Sequence, residues 1–192
     1  MIDYIIGKPA EVTPTYVVLD NNGIGYGVNI TLIDYPQIEN KESVKLYVYE
    51  SIREDAHILY GFLEKQSREL FELLISVSGV GPNTGRLILS SMTSSQLESA
   101  IAQGQDSVLK SVKGIGGKTA QRIIVDLKDK IKATGELLIS STPVGETYDD
   151  SVAAMVMLGF TQQQSQKVMK KIFAATPAIS TEQAIKQALT ML

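Results

Sequence analysis

The amino-acid sequence predicts a multidomain α+β chain: a small N-terminal β-barrel, a helical domain and a short C-terminal helical bundle. Three observations predict it. Alternating β-branched and aromatic segments fill residues 1–62, the apolar period becomes helical after Phe62, and a run of Ser, Thr, Pro and Gly near residue 140 precedes a last set of short helical patterns. A length of 192 residues suits one or two ordinary domains or three small modules. With 44% hydrophobic and 20% charged residues, the chain carries enough apolar surface for folded cores.

Five strands are expected in the first region: Tyr4, Ile5 and Ile6; residues 16–19; residues 26–30; residues 44–49; and residues 57–60. Asp20, Asn21, Asn22 and Gly23 supply turn chemistry between two of them, and five short strands with such turns fit an OB-like barrel over 1–62. Leu70, Leu73, Leu74 and Val77 then recur at helical spacing, opening a helical domain expected over 63–134. Residues 135–148, with Ser140, Ser141, Thr142, Pro143 and Gly145, read as a flexible linker. Helix starts are expected near Asp149, Thr161 and Ser180, the last with Gln183 placed for a capping box. In so small a bundle as 149–192, Leu158 and Phe160 are expected in the core rather than at an interface, and the bundle reads as an attachment module.

The helical domain repeats itself at an interval of 35 residues. Residues 76–88 align with residues 111–123, and six of the thirteen positions are identical. Each copy is an apolar helix end, a Gly-Val-Gly or Gly-Ile-Gly turn (Gly79, Val80, Gly81; Gly114, Ile115, Gly116), and a new helix begun through Thr84 or Thr119. Such a turn can grip a phosphate: glycines let the main chain approach without Cβ atoms in the way, the helix start offers free N–H groups, and the apolar residue plugs the angle between the helices. A single copy is as well explained as a tight interhelical turn. Two copies, the second followed by Lys118 and Arg122 on one helical face, favour sequence-blind contact with a nucleic-acid backbone.

Charge points to the same segment. The net charge of −3 hides an acidic N-terminal region, with four basic and nine acidic groups over 1–61, and a basic stretch over 108–132 with seven basic and two acidic. Other chemistry finds little support. No Cys and a single His57 exclude disulfides, thiolate zinc sites, cysteine nucleophiles and multi-histidine metal sites, so no metal or cofactor is expected. Gly117, Lys118 and Thr119 mimic the end of a P-loop, yet the Gly required five residues before Gly117 is Val112. Gly23, Gly25 and Gly27 lack the following helix of a dinucleotide fingerprint and read as hairpin glycines. Without an apolar run near 20 residues or a signal-peptide start, the chain is expected to stay in the cytoplasm.

In order along the chain, the barrel, the segment Arg53, Glu54, Asp55, Ala56 before residues 59–62, the two Gly-x-Gly hairpins, the linker and residues 153–160 resemble the bacterial RuvA family. The resemblance implies an OB-fold domain, a domain with two helix-hairpin-helix motifs and a mobile, UBA-like three-helix domain. It also implies a homotetramer, one or two per junction, that holds a four-way Holliday junction open and flat while the RuvB ATPase motor drives branch migration. The RuvC resolvase is a further implied partner, and the implied setting is recombination, DNA repair and the SOS response to DNA damage. On that resemblance the DNA contacts are Gly79, Val80, Gly81, Asn83, Thr84, Gly114, Ile115, Gly116, Lys118, Thr119 and Arg122. Glu54 and Asp55 match an acidic pin near the crossover, and Leu158, Gly159 and Phe160 match a motor-binding segment. Asn83 and Gly117 stand where family members often carry Lys, so the first hairpin is expected to hold DNA mainly by main-chain N–H groups.

Read without the family, Glu54 and Asp55 are a solvated hairpin tip, or negative charge that repels wrongly placed strands. His57 is expected to pack or hydrogen-bond rather than catalyse. No catalytic constellation stands out, so a non-catalytic DNA scaffold is the leading expectation. The rivals are the DNA-binding part of a repair nuclease or ligase and an RNA-binding OB protein; the acidic barrel opposes the latter.

Overall fold

β-Branched and aromatic residues at period two build the first region of the computed structural model, which describes residues 1–139, 143–177 and 179–191, with side chains over 1–131, 147–177 and 179–191. The strands are β1 (Tyr4–Thr13), β2 (Tyr16–Asn21), β3 (Ile24–Asn29), β4 (Val44–Ile52) and β5 (His57–Phe62). They close into a barrel in the order β1-β2-β3-β5-β4, the OB-fold expected. Only β3 and β5 pair in parallel, through Val28 opposite Leu59 and Asn29 opposite Tyr60. Alternate residues face inward, so Ile5, Val17, Leu19, Val28, Leu46 and Val48 form the barrel core. Asn22 and Gly23 both take positive φ, 52° and 87°, giving the tight turn that matches strand twist between β2 and β3.

One short helix, α1 (Tyr35–Ile38), interrupts the path from β3 to β4 and seats Ile38 in the core. No periodic pattern four residues long could have announced it. Just before it, Asp34 is buried, accepts a hydrogen bond from the Thr31 hydroxyl at 2.8 Å, and accepts another from the main-chain N–H of Leu63. Burial outweighs both bonds and pushes its carboxyl up to about 6. Leu63 leads out of β5, so this buried acid stands at the joint between barrel and helices.

The helices are α2 (Lys65–Ile75), α3 (Pro82–Ser91), α4 (Ser94–Ala102), α5 (Asp106–Lys110) and α6 (Gly117–Ile139). Barrel and helices share one core, in which Phe71 of α2 meets the rings of Tyr49, Tyr60 and Phe62 at centroid distances of 5.0–5.4 Å. Met1–Lys132 accordingly forms one compact unit, and Ala133–Leu192 forms a second.

In the second unit, α7 (Pro143–Met157), α8 (Gln162–Ala175) and α9 (Thr181–Leu189) surround Val152, Met155, Val168, Met169, Ile172, Ala184 and Ala188. Thr161 caps α8 in a full capping box with Gln164, and the Ser180 side chain accepts from the N–H of Gln183 at the start of α9. Two expectations need correction. The span 135–148 is helical over 135–139, the end of α6, and over 143–148, because α7 begins at Pro143, a first helical position that proline tolerates, rather than near Asp149; residues 140–142 lie outside the described residues. Leu158 is 58% exposed rather than buried, while Phe160 packs partly against the core. Gly159, at φ 100°, ends α7 with the hydrogen bonds Phe160 N to Met155 O and Gly159 N to Val156 O, a turn that folds Phe160 back and leaves Leu158 outside.

Candidate nucleic-acid interface

Both repeats fold the same way. In the first, α2 ends at Ile75 and α3 begins at Pro82; in the second, α5 ends at Lys110 and α6 begins at Gly117. The turns superpose bond for bond: Val80 N donates to Val77 O at 3.0 Å, as Ile115 N does to Val112 O at 3.1 Å, and Gly85 N to Gly81 O matches Ala120 N to Gly116 O. Gly79 and Gly114 lie at φ 92° and 90°, in the left-handed region where an L side chain is strained. Val80 and Ile115 are buried, as plugs of the interhelical angle should be.

Gly81 and Gly116 have no such internal reason to be glycine. A Cβ at either would meet no atom within 4 Å, and neither lies in the left-handed region. Their smallness keeps the outside of each turn open. Behind Gly81, α3 starts with no side-chain cap, leaving the N–H groups of its first turn without a capping acceptor. Thr84 was expected to begin this helix, but it lies in its third position, and Pro82 begins it; likewise Thr119 is the third residue of α6. Uncapped N–H groups at a positive helix end, beside an open glycine, make a seat for an anionic oxygen.

The side chains around the two turns differ. Lys113 and Lys118 are exposed beside the second turn, and neither has an ion-pair partner among the described residues. Lys110 is held by Asp106, whose carboxyl sits below the usual carboxylate range because of that partner. The aligned positions of the first turn carry Ser78, Asn83 and Leu87. Asn83, although exposed, accepts a hydrogen bond from the Tyr60 hydroxyl of β5 at 3.2 Å. Further along α3, Arg86 donates to the carbonyls of Thr15 and Ile30, and the Ser90 hydroxyl accepts from Leu32 N. The first turn is therefore fastened to the barrel. Arg122 is exposed, and its Nη1 donates to the Ser78 carbonyl of the first turn at 3.0 Å. Tyr60 and Ser78 carry no sequence signal for these contacts, since each partner lies 23 or 44 residues away.

Glu54 and Asp55 are exposed at the tip between β4 and β5, where Arg53 and Ala56 exchange main-chain hydrogen bonds. His57 stands at the start of β5, itself exposed, with Nε2 3.7 Å from the largely buried side chain of Glu50. No group of three or more metal-ligating side chains occurs among the described residues. No helix among them is long and apolar enough to cross a membrane. In the C-terminal unit, exposed Val156, Met157 and Leu158 make an apolar surface at the end of α7, with Gly159 beside it and Phe160 turned toward the core.

Comparison with known proteins covers the same regions. Residues 1–61 match the family model described as RuvA N terminal domain, residues 71–129 the SAM-like helix-hairpin-helix tandem, and residues 146–192 the RuvA C-terminal domain. Over the whole of both chains, the sequence is 49% identical to the Holliday junction branch migration complex subunit RuvA of Bacteroides thetaiotaomicron. Identity to the proteins of that name from Bacteroides fragilis and Parabacteroides distasonis is 50% and 52%, again at full coverage of both.

Proposed function

The chain belongs to the RuvA family, and from that premise we propose that it binds Holliday junction DNA by structure and presents the junction to an ATPase motor of the RuvB type for branch migration. The observation that carries this reading is the pair of turns with one geometry, each keeping an open glycine beside the start of a helix. Two such seats on one compact unit fit two backbone positions of one duplex arm, and neither reads a base. The contacts are the main chain of Gly79, Gly81, Asn83 and Thr84 and of Gly114, Gly116 and Thr119, with Val80 and Ile115, whose own N–H groups close the turns, as the buried plugs that shape them, and with Lys118 and Arg122 adding charge.

Four copies of the chain hold the four arms open and flat, with Glu54 and Asp55 as a pin whose negative charge keeps phosphates apart at the crossover. Residues 1–62 are the barrel and residues 63–134 the DNA-binding domain. Residues 149–192 bind the motor through Leu158, Gly159 and Phe160; the exposure of Leu158 supports that assignment. The chain itself breaks no bond and needs no cofactor; the motor hydrolyses ATP. Its place is the bacterial cytoplasm, in recombination and DNA repair, where a RuvC-type resolvase can act on the same junction.

Native mass spectrometry with and without a synthetic four-way junction tests the core of this reading. Four or eight copies per junction are expected, with markedly weaker retention of linear duplex; one copy, or equal retention of both DNAs, would overturn it. Deletion after Thr142 separates the two halves of the proposal. Junction binding should persist, while migration driven by the partner motor should stop.

A further inference from the structure

We propose that Arg122 is the positioning residue of the first hairpin: its guanidinium fixes the direction of the Gly79 N–H by gripping the carbonyl of the same peptide unit. This rests on the reading of the hairpins as phosphate seats. The distance is 3.0 Å, and it joins α6, which follows the second turn, to the loop of the first.

The geometry makes this bond consequential. In a planar trans peptide the C=O and N–H point in opposite directions, so a Ser78 carbonyl held toward Arg122 turns the Gly79 N–H away from it. Gly79 is enclosed by the turn's Val80 N to Val77 O bond, which leaves its own N–H unengaged among the described residues. It lies at φ 92°, and even a Cβ there would touch nothing within 4 Å. A cationic donor on the carbonyl also polarises the peptide and makes its N–H a stronger donor. The brace runs one way only: the position aligned with Arg122 in the first repeat is Leu87, which has no donor to offer the carbonyl of Lys113. Arg suits the task because four of its five N–H groups remain after this bond, so one side chain can serve the brace and a phosphate together.

A brace differs from a simple phosphate anchor in the absence of DNA. In spectra of the full chain without DNA, R122A and R122K should both lower the backbone order parameter of Gly79 from about 0.85 toward 0.6 and leave Gly114 unchanged. Unchanged Gly79 order in both variants would overturn the proposal. On linear duplex, R122K should recover the salt slope but not the affinity, because the ammonium restores charge without bridging two acceptors.

A double-mutant cycle provides the second readout. Gly81→Ala and Gly116→Ala should fold normally, since neither Cβ meets an atom, yet each fills its own seat. R122A should weaken duplex binding about tenfold in the parent and in Gly116→Ala, but less than about threefold in Gly81→Ala, whose first hairpin is already disabled. Full additivity with Gly81→Ala would overturn the brace and leave Arg122 an independent anchor. Parent-level binding by both glycine variants would instead overturn the phosphate-seat reading, while the DNA-free spectra would still decide whether the brace exists.

Discussion

The two hairpins share a backbone and six of thirteen aligned residues, yet differ in charge and in what fastens them. At three aligned positions the first carries the uncharged Ser78, Asn83 and Leu87 where the second has Lys113, Lys118 and Arg122. The first is also tied to the barrel, through Phe71 among three aromatic rings, Asn83 under Tyr60 and Arg86 on two barrel carbonyls. No residue over 111–122 hydrogen-bonds the barrel among the described residues. Duplicating a turn therefore copied the part that the glycines dictate and left the surroundings free to diverge. One copy holds a fixed place relative to the barrel and the other concentrates charge, and Arg122 links them.

The largest effects should come from filling the seats that both copies retain. Gly81→Glu and Gly116→Glu place a carboxylate where a phosphate oxygen would lie, without a clash inside the protein. Each should cost duplex binding at least about a hundredfold, the combined loss of a charge-assisted hydrogen bond and added repulsion. Thermal stability should change by less than about 0.5 kcal/mol, as for other open surface sites. Titration of a labelled duplex beside a melting curve checks both. Parent affinity in either variant would reduce that hairpin to a connecting turn.

Next in size is an effect confined to the joint from which the first hairpin hangs. Asp34 has a folded pKa of about 6 against 3.8 for the free group, so the folded state binds the proton more tightly than the unfolded one. Its contribution to stability is most favourable below pH 4, declines as pH rises from about 4 to 6, and remains a full penalty above that. Glu64 beside it adds to the upward shift. The stability of Asp34→Asn relative to the parent should therefore improve by about 2 kcal/mol between pH 4 and pH 7.5. Asp3 and Asp106 are shifted the other way by Arg68 and Lys110, and taking the difference between variant and parent cancels them. Urea unfolding at the two pH values measures it; a difference independent of pH would mean that Asp34 ionises as freely as an exposed acid.

What could be read from the sequence follows the range of each interaction. The barrel strands, the Asn22-Gly23 turn, the glycine hairpins and the helix starts at Thr161 and Ser180 are set by neighbours within a few residues, and all were legible, whereas the reciprocal capping box expected at Ser180 forms at Thr161 instead. The barrel tether of Asn83 and the target of Arg122 were not, because each depends on a partner that only tertiary packing supplies. Leu158 and Pro143 were misjudged for a different reason. Both stand at helix ends, where one residue of offset exchanges core for surface or a break for a beginning.

The acidic tip of the barrel gives a third effect, opposite in sign to those at the hairpins. Glu54→Gln with Asp55→Asn removes repulsion against closely spaced phosphates, so linear duplex should bind about tenfold tighter at low salt while preference for the four-way junction falls. High salt should shrink the change. Identical selectivity at low salt would leave the two carboxylates as a solvated turn.

The smallest effect bears most directly on the difference between the hairpins, because it moves charge from one to the other. Lys118 is exposed without an ion-pair partner among the described residues, so Lys118→Ala should weaken duplex binding several-fold and lower the salt slope by about 0.9, the value for one phosphate contact. Asn83→Lys places an ammonium at the aligned position of the first hairpin. It should raise the slope by about the same amount, but its affinity gain should be smaller than the loss in Lys118→Ala, since the Tyr60 hydroxyl forfeits its acceptor and the tie to the barrel loosens. The double variant then carries the parent's charge on the opposite hairpin. If the turns are interchangeable seats, slope and affinity both return to parent values. If the first turn acts chiefly through its fixed place on the barrel, the slope returns and the affinity does not. Binding isotherms of the four proteins on one duplex at several salt concentrations distinguish these outcomes, and the tether of Asn83 to Tyr60 favours the second.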